Sequence, residues 1–205
     1  MNHLAHAWLA GDDDGLRLGS VMGDFVRGAP DPLLPAAVIA GIRLHRAVDS
    51  YTDRHPQVIA ARARLPSPYR RYAGILLDMW FDHALARDFG HWSAQPLDAY
   101  SAALRALLQR HDALLPASLR RFRTYMDAHD LPAGYADPDM LDLALRGIGT
   151  RLSRANPLAT AMPLLEALDA PLQAHFELFL PDLQAFAARW IDGSGAAAAT
   201  HRPPP

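Results

Sequence analysis

The stretch Tyr69 to Asp88, YRRYAGILLDMWFDHALARD, decides the fold. Its apolar residues Ile75, Leu76, Met79, Trp80 and Leu85 recur at helical spacing, and no proline or alternating β-branched run interrupts them. The same periodicity lies on both sides. Leu4, Ala5, Trp8 and Leu9 form a short apolar face, and the Asp12–Gly15 turn leads to a helix over Leu16 to Phe25. After the breaker-rich GAPDPLLP run of residues 28–35, helices are predicted over Ala36 to Ser50 and from Pro56 toward Leu65. Downstream, helical patterns cover Leu97 to Leu115, Pro116 to Ala128, Asp137 to Ser153, Pro163 to Leu168 and Leu172 to Ile191. The expectation is an all-α chain: one compact multi-helix domain over residues 1–192, then a flexible Gly/Ala/Pro-rich tail over 193–205.

Composition narrows the function. The 205 residues suit a single domain, and 50% hydrophobic content with a formal net charge of -2 argues against wholesale disorder and against a generally basic nucleic-acid binder. A local phosphate site stays compatible with that balance. Cysteine is absent, so disulfides, thiolate nucleophiles and cysteine-based zinc sites are excluded. The opening residues lack a basic segment followed by a long apolar core, which reads as a soluble, cytoplasmic protein with no membrane partner. Neither a GxxxxGK[ST] loop nor a GxGxxG fingerprint occurs, which disfavours P-loop and Rossmann chemistry.

Several polar residues stand among apolar ones and need a reason. Asp24 sits between Met22 and Phe25 with Arg27 three positions on, as a cap or ion pair, or as a metal-binding or catalytic carboxylate. In IRLHRAVDSYTDRHP, His45, Asp49 and Asp53 repeat at i,i+4 and form one polar helical stripe, with a ladder to Arg46 and Arg54 as the plainer reading. In LDMWFDHALA, Asp78 and Asp82 repeat that spacing and His83 follows, beside Met79 and Trp80. Ionised aspartates are costly there unless compensated, by a divalent ion or by a structural pairing of core histidine with buried aspartate. His3 and His6 share a face at i,i+3. Carboxylate and imidazole ligands suit manganese, iron, magnesium or zinc, and such a set fits metal-assisted phosphoester hydrolysis. From Arg43 to Arg71 there are seven arginines against Asp49 and Asp53, a local charge of +5, which would steer an acidic partner if the arginines share a face.

The blocks NHLAHAWLA, GSVMGDFVRG, GIRLHRAVDSYTDRHP and LLDMWFDHALARDF, spanning most of residues 2–89, resemble the acyl carrier protein phosphodiesterase family. The resemblance implies a fold like a divergent branch of the His-Asp domain phosphohydrolases. It implies hydrolysis of the phosphodiester joining 4'-phosphopantetheine to a serine of holo acyl carrier protein, with a divalent metal, Mn2+ first and Mg2+ or Fe2+ after it. The matching positions are His6, Asp24, His45, Asp49, Asp78, Asp82 and His83, with Arg27 and Arg46 beside them. Asp82 then His83 reverses the usual His-Asp order, so ordinary ligand assignments do not transfer. On this basis Asp24, His45, Asp78 and Asp82 are expected to bind metal, and Asp49 or His83 to orient water. Arg27 and Arg46 would hold phosphate oxygens, and His6 or His83 would protonate the serine oxygen. Arg62, Arg64, Arg70 and Arg71 are expected to meet the acidic carrier protein. A phosphohydrolase of small nucleotides or phosphodiesters, and a non-catalytic carrier-protein binding module, are the alternatives.

Overall fold

The computed structural model describes the backbone of residues 1–199 and the side chains of residues 1–193. Among the described residues there is no β-strand, as the periodicity predicts. The helices are α1 (His3–Leu9), α2 (Asp14–Met22), α3 (Ala36–Arg54), α4 (Pro56–Arg64), α5 (Ala73–Arg87), α6 (Phe89–Trp92), α7 (Leu97–Arg110), α8 (Ala117–Ala128), α9 (Pro138–Arg151), α10 (Met162–Ala167) and α11 (Asp169–Ala199). Short 3-10 turns join several of them, including Gly23–Phe25 after α2 and Tyr69–Tyr72 before α5. The tail expected from residue 193 overlaps α11, which continues to Ala199; residues 200–205 lie outside the described residues. No described helix is long and apolar enough to cross a membrane.

Local chemistry sets the helix starts. Asp13 accepts a hydrogen bond from Leu16 N–H to cap α2, Asp137 accepts one from Asp139 N–H at α9, and the His55 ring accepts from Gln57 N–H at α4. Helix α5 occupies the middle of the molecule: Leu76, Leu77, Trp80, Phe81, Ala84 and Leu85 are all buried. It packs against α1, α4, α9 and α11, with Phe81 between Phe176 and Phe179 of α11. This burial on nearly every side explains why the Tyr69 to Asp88 pattern is more apolar than that of a surface helix.

Helices α2 and α3 form the closest pair, and glycine makes that possible. A Cβ on Gly19 would collide with the carbonyl oxygen of Val38, and one on Gly41 with that of Leu16. Backbone-to-backbone approach here brings the end of α2 and the Gly23–Phe25 turn onto the polar face of α3.

Candidate metal centre

On α3 the i,i+4 spacing stacks His45 above Asp49, and the close α2–α3 approach sets Ser20 and Asp24 beside them. His45 donates from Nδ1 to the carbonyl oxygen of Ser20 at 2.8 Å. In the neutral ring this leaves the Nε2 lone pair facing two carboxylates, Asp49 Oδ2 at 3.1 Å and Asp24 Oδ1 at 3.3 Å. Gly23 is part of the mounting, because a Cβ there would run into the His45 ring. Helix α1 adds His6, whose ring stacks on that of His45 with centroids 3.8 Å apart.

His6 is 2% exposed. Its Nε2 lies 3.1 Å from Asp49 Oδ1 but off the line of a hydrogen bond, so both ring nitrogens are buried without a partner. Leaving a buried polar atom unsatisfied costs about 1–3 kcal/mol. Burial, reinforced by the neighbouring His45, pushes the His6 pKa down to about 4. Burial acts the same way on His45, but its contacts with Asp24 and Asp49 outweigh it and hold the pKa at about 9. Asp24 is in turn held at about 2 against its own burial, by His45 and His3, and Asp49 is likewise depressed by His45 and His6. His6, His45 and Asp49 thus converge, with Asp24 against His45, in a cluster whose carboxylates favour positive charge.

A divalent ion would supply such charge. His6, His45 and Asp49 each offer one ligand atom, all within 4.8 Å of one another. Neighbouring oxygens or nitrogens around an octahedral ion at about 2.1 Å stand about 3 Å apart, close to the spacings above. The Nδ1 hydrogen bond of His45 to a backbone carbonyl is the arrangement that orients metal-binding histidines. The cluster can therefore hold a divalent metal.

A model of the family described as acyl carrier protein phosphodiesterase matches residues 1–183. The chain belongs to the acyl carrier protein phosphodiesterase family. The acyl carrier protein phosphodiesterase of Photorhabdus laumondii subsp. laumondii is 35% identical over 182 residues, covering 88% of this chain and 92% of that protein. Those of Escherichia coli O157:H7 and Escherichia coli strain K12 / DH10B are 35% identical over 196 residues, covering 92% of this chain and 98% of theirs. No solved structure matches the chain.

The structure divides the residues that match the family pattern. His6, Asp24, His45 and Asp49 come together. Asp78 faces the same region from α5, and its Oδ1 receives the Met1 ammonium at 2.7 Å. Asp82 does not join them: it is 0% exposed, and it accepts from the backbone N–H groups of Asn2, Leu4 and Ala5 at 3.0, 2.8 and 3.3 Å. Those are the donors a helix start leaves unpaired, so Asp82 anchors α1 from a distance in sequence. His83 points elsewhere, its Nδ1 bonded to the Tyr135 carbonyl at 2.7 Å and its ring against Trp80.

The arginines divide too. Arg46 donates to the Val26 carbonyl at 2.9 Å and ties down the loop that follows Asp24, whereas Arg27 is exposed. Arg62 pairs with Asp53, Arg64 reaches His175, and Arg70 donates to the carbonyls of Leu65 and Ala63. Arg71 is exposed and makes no ion pair or hydrogen bond among the described residues.

One residue gains a role that the sequence left unassigned. His3 is buried, with Nδ1 3.6 Å from Asp24 Oδ2. Its shared face with His6 was the available signal, and the partner that distinguishes it lies 21 positions away, on the other side of α2.

Proposed function

We propose that this chain hydrolyses the phosphodiester between 4'-phosphopantetheine and the serine of holo acyl carrier protein, releasing apo carrier protein and phosphopantetheine. The observation that carries the reading is the buried His6, without a hydrogen-bond partner, beside His45 and Asp49 in a ligand set sized for a divalent ion. The names of its relatives supply the substrate.

His6, His45, Asp49 and Asp24 would hold the metal, with Mn2+ the first candidate and Mg2+ or Fe2+ next. When bound, the ion supplies charge on the phosphate oxygens and makes water a better nucleophile at neutral pH. The chain's own residues set the geometry. Ser20 holds His45 in one tautomer, Gly23 leaves room for its ring, and Arg46 fixes the loop carrying Asp24. Asp24 is half-exposed and reaches the surface where a phosphate arrives, with Arg27 three residues on. His3, against Asp24, is placed to pass a proton to the serine oxygen as the phosphorus–oxygen bond breaks. Asp82 and His83 hold α1 and the Tyr135 turn in place. A cytoplasmic location follows from the carrier-protein substrate.

The test is the intact mass of holo carrier protein incubated with the protein, with and without Mn2+ and chelator. Metal-dependent loss of the phosphopantetheine mass is expected. An unchanged mass with folded, metal-loaded protein would refute the reading and favour a small phosphodiester or a binding role.

A further inference from the structure

A cavity of about 800 Å3 lies beside the metal cluster: His3, Asp24 and Asp78 line one side of it, and Asp24, against His45, joins it to the cluster, whereas His6, His45 and Asp49 do not line it. This is far more room than a phosphate needs and falls within the range of about 300–1,000 Å3 typical of pockets that enclose a drug-sized ligand. Away from the carboxylates the lining turns apolar and aromatic: Phe25, Met79, Phe122, Tyr125 and Ile148. The aromatic rings run on from His3, beside Asp24, without a break. His3 stacks with Phe25 at 5.8 Å between centroids, Phe25 meets Phe122 at 5.8 Å, and Phe122 meets Tyr125 at 6.0 Å. Arg121 and Arg151 line the same cavity, are exposed, and make no ion pair among the described residues.

Resting on the phosphodiesterase reading above, the substrate has two arms at phosphorus. One is a serine on a folded carrier protein, too bulky to enter such a cavity. The other is thin, uncharged and flexible: a methylene beside a dimethyl carbon, then two amides and a terminal sulfur. We propose that this cavity seats the pantetheine arm. The dimethyl end lies against Phe25 and Met79 next to the phosphorus, the amides run along Phe122 and Tyr125, and the free arginines Arg121 and Arg151 face the acidic protein that carries the arm. Burial of the apolar end and stacking of amide planes on aromatic rings favour this occupant over a small, highly charged phosphoester.

Gly147 and Ala144 of α9 give the test, because both line the cavity and neither belongs to the metal centre. A Cβ on Gly147 would meet nothing within 4 Å, so Gly147→Trp adds bulk without a backbone clash. Ala144→Phe fills the cavity from one turn earlier and serves if the first variant does not fold. Three readouts are compared: turnover of holo carrier protein, turnover of bis(4-nitrophenyl) phosphate, and calorimetric binding of 4'-phosphopantetheine. The expected result is at least a tenfold loss in kcat/KM on the carrier protein, carried mainly by KM, and at least tenfold weaker phosphopantetheine binding. Turnover of the small diester should stay within twofold. Wild-type values on all three readouts in the folded variants would overturn the assignment, as would an equal loss on both substrates. If wild-type protein binds phosphopantetheine but leaves holo carrier protein intact, and the filled variants lose that binding, the seat stands and the proposed reaction falls.

Discussion

Two groups of aspartate and histidine flank α1, and they are built in opposite ways. On the α5 side, Asp82 is surrounded by backbone donors and His83 is bonded to a carbonyl. On the α3 side, His6 has no hydrogen-bond partner, and His45 turns Nε2 toward two carboxylates. The residue types are the same. What separates the structural anchor from the candidate metal centre is that protein donors and acceptors meet Asp82 and His83, whereas His6 is left without a partner.

Substitutions on the two sides should therefore fail differently. The largest effect belongs to Asp49→Ala. Even residues that only orient metal ligands cost about 10–100-fold when changed, so loss of Asp49 should lower turnover by at least about 100-fold. Its helical circular dichroism should remain, since Asp49 removes no backbone bond. Asp82→Ala should do the reverse, leaving three N–H groups unpaired, two of them buried, at a cost of about 3 kcal/mol. For a chain of this size that is a drop in Tm of roughly 6–12 °C, measurable by calorimetry. A variant of Asp49 that unfolds, or one of Asp82 that stays stable but inactive, would erase the distinction.

The titration of His45 sharpens it. Without metal, burial works against the proton on His45, yet Asp24 and Asp49 hold the folded pKa at about 9 against 6.5 for an ordinary histidine. The folded state then binds this proton more tightly than the unfolded chain. Its contribution to stability is complete below pH 6.5 and is lost as pH rises through about 9. Ligation needs the same nitrogen free, so metal binding releases a proton and tightens across that window. Thermal unfolding with chelator should show stability falling from pH 6.5 to 9, and Mn2+ should stabilise most at the alkaline end. A flat metal effect would contradict His45 as a ligand. The smallest effect is expected at Arg71→Glu, a few-fold rise in KM for carrier protein that disappears at high salt.

Much of the fold was legible because burial wrote itself into the pattern. The apolar run of α5, the prolines at the starts of α3, α4 and α8, and the cap at Asp13 mark elements that the structure contains. In the candidate site, the i,i+4 step from His45 to Asp49 was readable for the same reason, since both lie on one helix. Asp78 to Asp82 has the same step and a different outcome. Nothing local shows that the backbone of residues 2–5 comes to rest on Asp82, a contact across about eighty positions. The arginine run divides in a related way: Arg62 pairs with Asp53 of the neighbouring α3 and Arg70 with carbonyls at the end of α4, partners that a charge count does not see.

The most direct test is the metal content of dialysed wild-type, Asp49→Asn and Asp82→Asn proteins after loading with Mn2+. Wild-type and Asp82→Asn should retain the ion, and Asp49→Asn should lose it. Retention by Asp49→Asn together with loss by folded Asp82→Asn would show that the metal sits on the other side of α1.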